Sequence, residues 1–484
     1  MGVVDNVLST LSNWLFGTIL VWLLLGVGAF VTWRTRAVQL RHVRSVLRAV
    51  AGSRSGAEGG ISSFQAFAVG LACRVGTGNV VGVALALVLG GPGAVFWMWV
   101  VALVGMATAF CEATLGQVFK VRRGDGTFRG GPAYYLARGL HWPAVGGVFA
   151  VVFMVANGLA MPMVQANAMT AALASSAGLS PWWGAAIVAA IVAPVLLGGL
   201  RSIASVTEWM APIMAIAYLA LVLLIIVTHP AQAGTALGQI VAGAFGLRAG
   251  LAGAAGGVAA AVLNGVRRGL FSNEAGLGGA ACASGSATVA HPAQQGFIQA
   301  FGVFVDTMLV CTATALSILI AGADDGSVYT PGVTGADVSG TLTQQAIAHL
   351  LGSWTSWPMT ILILVLAYST ILGAFSYAEV CLDYLTRCSW APTALRAAAV
   401  VCAFVGGGAA LTTVWTLADV LLGTGAILNL IAIVALSRWV AGALRDWEAQ
   451  RAAGVEAPRF VATGNRFLPR ELDGDVWAGD AASR

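Results

Sequence analysis

Long apolar runs separated by short polar segments make up most of this chain. A helix needs about 20 consecutive apolar residues to cross the hydrocarbon core of a bilayer, and eleven runs are near or above that length. They lie at 14–33, 62–90, 93–119, 146–174, 182–200, 204–228, 262–286, 296–321, 358–386, 393–411 and 415–440. The pattern predicts an all-α polytopic membrane protein with eleven transmembrane helices.

Two of these spans are interrupted by glycines and polar residues. Arg74–Asn79 interrupts the second span, and Phe271–Gly279 interrupts the seventh. Glycine disfavours a helix, and a helix break in lipid exposes backbone groups that protein or a wet cavity must satisfy. Interrupted spans in corresponding halves of a chain are typical of the binding site of a secondary transporter.

The predicted spans also divide into two matching halves. Without the first span, ten remain as five plus five, and the break lies in the first helix of each five. The two broken helices run in opposite directions, which predicts an inverted repeat. The predicted segments are an N-terminal helix with a basic loop at 1–61, the first repeat at 62–228, an outer-surface helical segment at 229–261, the second repeat at 262–440 and a cytoplasmic tail at 441–484.

Composition and charge support a membrane location and give an orientation. The chain is 58% hydrophobic and only 9% charged, whereas about 25% of the residues of soluble domains are charged. Basic residues cluster after the first and third spans and in the tail, while the 321–357 loop has acidic residues and no Lys or Arg. By the positive-inside rule the N-terminus is outside and the C-terminus is inside. The location expected is the plasma membrane, the inner membrane of a bacterium.

Two local features, an arginine pair and the polar tail, add to the structural prediction. Arg267 and Arg268 lie near the outer end of the seventh span, against the charge rule, and are expected to be buried. The polar tail beyond Arg445 is expected to be loosely ordered.

The seven cysteines form no CxxC pair, so neither a zinc site nor a disulfide framework is implied. The net charge of +5 gives no reason to expect nucleic-acid binding. Neither a His-Glu-x-x-His nor a Gly-x-Ser-x-Gly motif is present, so no enzyme is predicted.

Five motifs carry a resemblance to a known family. They are Ser63–Ala66, Val75–Ala84, Gly90–Trp99, Arg268–Gly276 and Gly302–Thr307. Together they closely resemble the alanine or glycine:cation symporter family, and the resemblance extends over about residues 10–440. It implies a leucine-transporter-like fold of the amino acid–polyamine–cation superfamily. It also implies uptake of small amino acids with sodium, or less usually with protons, and no other cofactor.

The substrate residues are expected at the two breaks. Thr77 and Gly78 resemble the carboxylate-binding corner of the fold, where a half-helix N-terminus suits an anion. Asn79 belongs to the same corner, although Thr77 and Asn79 could instead only cap the half-helix. Backbone carbonyls of Ser272 to Gly276, with the Ser272 and Asn273 side chains, are candidates for the substrate amino group. The full predicted substrate set is Thr77, Gly78, Asn79, Gln165, Ser272, Asn273, Gly276 and Ala374.

Gln165 and Ala374 differ from the other members of this set, because neither lies at a break. Gln165 resembles the family's polar position on the third core helix, and its alternative role is a hydrogen bond that ties two helices together. Ala374 stands where many relatives place a bulkier or polar residue against the ligand. A smaller wall leaves more room, so serine or glutamine is allowed beside alanine and glycine.

The sodium ligands also follow from the resemblance. They are the carbonyls of Ala72, Val75 and Leu366 and the hydroxyls of Ser369 and Thr370. The alternative is that the two hydroxyls only bond the preceding helical turn.

Glu274 in the second break is the candidate for gating or proton coupling, because ionisable residues within membrane spans are rare and usually functional. Its alternative role is a buried brace to Arg74 or Arg268, and Asp306 is expected to be structural. A proton-coupled carrier of the same fold is the alternative to sodium symport. A channel is a third class, and it would need a continuous pore.

Overall fold

A computed structural model of the chain describes residues 2–51, 61–246, 251–324 and 326–478. Most of these residues are helical. The α-helices are α1 (Gly2–Trp14), α2 (Val21–Arg34), α3 (Val38–Arg41), α4 (Val43–Ala51), α5 (Ser63–Arg74), α6 (Val83–Gly90), α7 (Gly93–Val118), α8 (Pro132–Gly139), α9 (Pro143–Val155), α10 (Met161–Ala177), α11 (Pro181–Leu196), α12 (Gly199–Thr228), α13 (Pro230–Ala244), α14 (Leu251–Asn273), α15 (Gly279–Gly285), α16 (Pro292–Val303), α17 (Thr312–Asp324), α18 (Ser339–Leu351), α19 (Ser356–Leu385), α20 (Ala391–Gly408), α21 (Leu411–Ala435) and α22 (Ser437–Ala452).

Short irregular segments connect several of these helices. Four π-helical segments, at Leu15–Leu20, Gly78–Gly82, Ala156–Ala160 and Phe304–Cys311, each continue into the next α-helix. Two 3₁₀ turns lie at Ala336–Val338 and Ser353–Thr355. The strands β1 (Val121–Arg122) and β2 (Phe128–Arg129) form one antiparallel hairpin, in which Val121 pairs with Arg129.

Eight helical stretches in the described residues are long and apolar enough to cross a membrane, and α5 with α6 makes a ninth if the bent pair is one span. The eight are Asn6–Arg34, Gly93–Val118, Pro143–Ala177, Ser202–Thr228, Pro292–Ala323, Ser353–Leu385, Ala391–Gly408 and Thr412–Ala435. Outward-facing residues such as Trp209, Ile213 and Ile216 on α12 are more than 60% exposed, as lipid-facing positions would be. The chain is therefore an all-α, multi-pass membrane protein.

The two other predicted spans correspond to helices that are shorter or broken. The predicted 182–200 span corresponds to α11, which is shorter, at 16 residues. The predicted 262–286 span corresponds to α14 and α15, with the second break between them. The count of eleven spans and the five-plus-five repeat stay predictions.

Helix α5 has a well-defined start and ends abruptly at the first break. A capping box opens the helix: the Ser62 hydroxyl accepts from the Gln65 backbone N–H at 3.1 Å, and the Gln65 side chain accepts from the Ser62 N–H at 2.9 Å. The helix ends at Arg74, and Val75 leaves the helical region with ψ near 83°. The chain resumes as a helix from Gly78, and the two halves differ in direction by 44°.

The second break separates α14 from α15 and contains three residues with positive φ. They are Glu274 (φ 55°), Gly276 (φ 93°) and Gly278 (φ 106°). Glycine adopts such angles without a steric penalty, whereas a residue with a Cβ does so at a cost. The Glu274 backbone is thus held in a strained conformation at the centre of the break.

Helix α14 begins earlier than the apolar pattern predicts. The segment predicted at 229–261 contains helix α13, which packs closely on α7. The two backbones are so close that a Cβ on Gly93 would overlap with Gly243. Residues 247–250 lie outside the described residues. From Leu251 the chain is one continuous helix to Asn273, so it crosses the predicted boundary at 261/262. Small Ala and Gly residues obscure this boundary in the sequence.

The expectation of a loosely ordered tail is wrong for residues 453–478. The side chains of Phe460 and Trp477 are buried, and their rings meet edge to face at 5.3 Å. The Trp477 indole N–H donates to the Gln117 carbonyl at 3.0 Å, and the Phe460 N–H donates to the Ala290 carbonyl at 2.9 Å. A few spaced aromatic residues therefore dock a mostly polar segment onto the helices.

Arg268 is buried and Arg267 is partly buried, so the prediction of burial is confirmed for Arg268 only. Both guanidinium groups lie 2.6 Å from one carboxylate oxygen of Asp419 on α21. Pairing is what makes such buried charges tolerable, since an unpaired charge in a low-dielectric interior is strongly unfavourable.

Candidate substrate and cation site

The two breaks are joined through the carboxylate of Asp306. Its Oδ1 accepts from the Asn79 amide at 2.6 Å, and its Oδ2 accepts from the hydroxyls of Ser272 at 2.8 Å and Thr307 at 2.7 Å. Asn79 belongs to the first break and Ser272 to the second. Asp306 is completely buried, so it holds both breaks from the π-helical segment between α16 and α17.

Thr77 makes a tertiary contact and does not cap its own half-helix. Its hydroxyl donates to the Gln165 side-chain oxygen at 2.8 Å, and its backbone N–H points at the same oxygen at 3.4 Å. The Gln165 amide nitrogen is buried and has no hydrogen-bond partner in the described part of the chain. Gln165 thus ties α10 to the first break, and it also leaves one donor available beside it.

Asn79 closes the first break from within. Its side-chain oxygen accepts the Gly76 backbone N–H at 2.8 Å, while its amide nitrogen donates to Asp306. The structural role considered for Asn79 is therefore present, although the side chain binds the loop residue Gly76 and not the first turn of the following helix.

Gly78 lies against the second break. A Cβ at this position would stand 3.3 Å from both the Ser272 Cα and the Phe271 ring. That spacing is tighter than ordinary van der Waals contact, so the two backbones approach closely only because residue 78 is glycine.

The second break has one buried donor without a partner among the described residues and one glycine whose backbone binds protein. The Asn273 side-chain oxygen accepts the Ala275 N–H at 3.0 Å, and its amide nitrogen has no partner among the described residues. Gly276 donates its N–H to Glu112 at 3.4 Å, and its carbonyl accepts from Asn429 at 2.8 Å. The Gly276 N–H is already bound by protein, and its carbonyl has one lone pair left for a substrate amino group, so the substrate contact at Gly276 stays a prediction.

Glu112 and Asn429 are supporting residues that the sequence interpretation missed. Glu112 on α7 accepts the N–H groups of Gly276 and Gly278, and Asn429 on α21 donates to the same carboxylate at 2.9 Å. The Tyr135 hydroxyl in turn binds the Asn429 oxygen. Glu112 and Asp306 gave the same signal in the sequence, an acidic residue inside an apolar span, but only their tertiary partners show what each one holds.

Four of the five predicted sodium ligands meet at one point. The Thr370 hydroxyl lies 3.0 Å from the carbonyls of both Ala72 and Leu366. The Ser369 hydroxyl lies 2.8 Å from the Leu366 carbonyl and 3.4 Å from the Ala72 carbonyl. The hydroxyls therefore bond the preceding turn of α19, as the alternative role proposed, and also reach across to α5.

This cluster fits a sodium ion by its donor set, because hard cations prefer oxygen ligands and all four atoms are neutral oxygens. Val75, the fifth predicted ligand, is buried directly after α5. A Cβ on Gly76 would overlap with the Thr370 hydroxyl, so the cluster is in direct contact with the first break.

Glu274 has no basic partner within 4 Å in the described part of the chain. Its carboxylate oxygens accept from the Cys73 thiol at 3.0 Å and from the Tyr377 hydroxyl at 3.5 Å. Arg74 instead donates to the Gln299 side chain at 3.0 Å, and Arg268 pairs with Asp419. Within the described residues, Glu274 therefore forms no direct ion pair with either arginine of the suggested brace.

Ala374 is buried on α19, one turn beyond Thr370.

Comparison with known proteins decides the family. The sequence model of the sodium:alanine symporter family matches residues 1–462. The chain belongs to this family. Its members are membrane transporters rather than enzymes, and the chain is accordingly a cation-coupled amino acid symporter.

Similar members of the sodium:alanine symporter family come from bacteria and archaea. The chain is 38% identical over 455 residues to the probable sodium/glutamine symporter GlnT of Bacillus subtilis (strain 168), covering 94% of this chain and 93% of the relative. It is 37% identical over 458 residues to the amino-acid carrier protein AlsT of the same organism, covering 95% and 94%. It is 38% identical over 438 residues to the sodium/alanine symporter AgcS of Methanococcus maripaludis, covering 89% and 94%.

Proposed function

We propose that the chain imports a small neutral amino acid together with sodium by alternating access. One observation carries the proposal: two oxygen-rich clusters share the same stretch of chain. The Ala72 carbonyl meets the Ser369 and Thr370 hydroxyls, and five residues later Thr77 meets Gln165. A cation bound at the first cluster would fix the end of α5 and therefore the first break. That is a physical route for the coupling free energy between two ligands.

The substrate carboxylate is assigned to Thr77 and Gly78, at the positive end of the half-helix that begins there. The unpartnered amide nitrogens of Gln165 and Asn273 are two further donors at the breaks. Carbonyls near Ser272 would accept from the substrate amino group. Asn79 and Asp306 fix the spacing of the two breaks and so define the length of substrate that fits.

The substrate class is alanine or glycine, with serine and glutamine as further candidates. The names of the relatives, sodium/alanine and sodium/glutamine symporter, span this range. Ala374 contributes only a methyl group to its part of α19, which leaves room for a longer side chain than alanine.

Transport by this site requires movement of the surrounding helices. Thr77, Asn79, Gln165, Ser272 and Asn273 are all buried, so a substrate cannot reach them without local opening. In our proposal the five-plus-five inverted repeat supplies this movement through rocking of one part against the other. The N-terminus faces outside and the C-terminus faces the cytoplasm.

A proton-coupled carrier is the second candidate, and Glu274 is the observation that favours it. A buried carboxyl group that forms no ion pair in the described part of the chain, and that is bound by a thiol and a phenol, can carry a proton through the membrane. Under this alternative, substrate uptake follows the pH gradient and Glu274→Gln abolishes that dependence.

Purified protein in proteoliposomes distinguishes the two candidates. Uptake of labelled alanine is measured with an inward sodium gradient at equal pH on both sides, and then with an inward proton gradient in choline buffer. The sodium proposal predicts accumulation only in the first condition, with competition by unlabelled glycine, serine or glutamine. Accumulation only in the second condition would establish proton coupling instead.

A further inference from the structure

A cavity of about 830 Å³ lies at the end of the molecule that the predicted orientation places in the cytoplasm. It is bounded by the end of α4, the first residues of α5 and α16, the segment after α15, and the tail. Four arginines and two carboxylates line it: Arg48, Arg122, Arg451, Arg459, Glu456 and Asp475. Its volume is in the range of small-molecule sites, about 300–1,000 Å³.

Among the described lining residues of this cavity, arginines outnumber carboxylates by four to two. Within the described residues, none of the four forms an ion pair with a carboxylate. Arg451 donates to the backbone carbonyls of Val455 and Glu456, and the Arg122 guanidinium lies 5.3 Å from the centre of the Phe128 ring. The positive-inside rule explains basic residues at this end of the molecule, but it does not require them to converge on one cavity.

Two further features of the lining favour an anion. Ser63 and Gln294 lie in the first turns of α5 and α16, where helix dipoles place partial positive charge. The Thr288 hydroxyl oxygen is buried and has no partner in the described part of the chain. Arginine guanidinium groups match phosphate oxygens in two parallel hydrogen bonds. We propose that this cavity binds a phosphate-bearing anion, either a soluble phosphate compound or the headgroup of an anionic lipid.

The position of the cavity gives the bound anion a consequence for transport. Ile61, just before α5, pairs with Ala287, just after α15, and the Thr288 N–H donates to the Ile61 carbonyl at 3.1 Å. The cytoplasmic ends of the two broken helices therefore meet beside Ser63 and Thr288. An anion that binds both ends and the tail would hold this side closed and slow transport. This consequence rests on the proposed function, whereas the binding itself does not.

Binding is tested on the purified full-length protein, with thermal unfolding as the readout, because a ligand that binds the folded state raises Tm. The soluble probe is inorganic pyrophosphate. The lipid probe is the exchange of phosphatidylcholine nanodiscs for nanodiscs that also contain phosphatidylglycerol. The pocket variant is Arg48→Gln with Arg459→Gln. The control is Arg44→Gln with Arg445→Gln, which removes the same charge from exposed residues that do not line the cavity.

The proposal predicts that at least one probe raises the Tm of the wild type and of the control. The pocket variant should need at least about tenfold more of that probe, since two arginine–phosphate contacts are lost. Phosphatidylglycerol that raises Tm and abolishes the pyrophosphate response identifies a lipid headgroup, while a pyrophosphate response that lipid leaves unchanged identifies a soluble anion. The proposal is overturned if neither probe acts on the wild type, or if the pocket and control variants respond alike. Arg459→Gln alone, at an exposed tail position, replaces the pocket variant if the double substitution does not fold.

Discussion

Gly78 is the residue of the first break whose missing side chain lets the second break approach closely. A methyl group there would press on Ser272 at 3.3 Å and push the two breaks apart. We predict that Gly78→Ala lowers substrate affinity about tenfold or more, because at least one charge-assisted hydrogen bond of about 1.5–3 kcal/mol is lost. Scintillation proximity binding of labelled alanine to purified protein measures the change.

Gly82→Ala is the matched control for this prediction. It lies in the same π-helical segment, but its added Cβ would be 3.7 Å from the Trp415 ring, an ordinary contact. It should bind substrate with nearly wild-type affinity. Equal affinities of the two variants would show that the carboxylate does not sit at Gly78.

Asp306 is the residue-scale feature that most clearly links the two halves of the site. Asp306→Asn keeps the size of the side chain but cannot accept hydrogen bonds from Asn79, Ser272 and Thr307 at once. We predict normal membrane insertion and a loss of substrate affinity of about tenfold or more, measured by the same binding assay. Thr307→Ser, which retains the hydroxyl, should stay near wild type. Unchanged binding in Asp306→Asn would mean that the spacing of the breaks is set elsewhere.

At the scale of elements, the long spans and their breaks could be predicted because they depend on local sequence. Apolar run length gave the positions of α7, α12 and α19, and glycines beside polar residues gave both breaks. Apart from Thr307, which is adjacent to Asp306, the partners of Asp306, Glu112 and Asn429 could not be predicted, since they lie on other elements of the chain. The start of helix α14 could not be predicted because Ala and Gly carry little periodic signal. The docking of the tail could not be predicted because only isolated aromatic residues anchor it.

The tail provides a prediction at this scale. Trp477→Ala removes a buried ring and its hydrogen bond to Gln117, a change that costs about 3–5 kcal/mol when the site is fully buried. We expect the tail to undock and become sensitive to limited proteolysis, while substrate binding is retained. Trp390→Ala, at a residue that is 70% exposed, should leave the proteolysis pattern unchanged. Wild-type resistance in Trp477→Ala would contradict the proposed anchoring.

At the scale of the whole molecule, charge asymmetry predicts which end of the protein faces the cytoplasm. Cysteines introduced singly at Asp337 and Ala457 in a cysteine-free background report the two sides. An impermeant maleimide applied to intact cells should label position 337 and not position 457. Labelling of position 457 alone would reverse the orientation and place the arginine-lined cavity outside the cell.

The central claim is that sodium and substrate are coupled through the end of α5. The most direct test compares labelled alanine binding in sodium buffer and in choline buffer at one pH, for the wild type and for Ser369→Ala with Thr370→Ala. The account predicts that sodium raises the affinity of the wild type about tenfold or more, a coupling free energy of about 1.4 kcal/mol or more, and that the double variant loses most of this increase while its affinity in choline is unchanged. Equal affinity of the wild type in sodium and in choline would contradict the account.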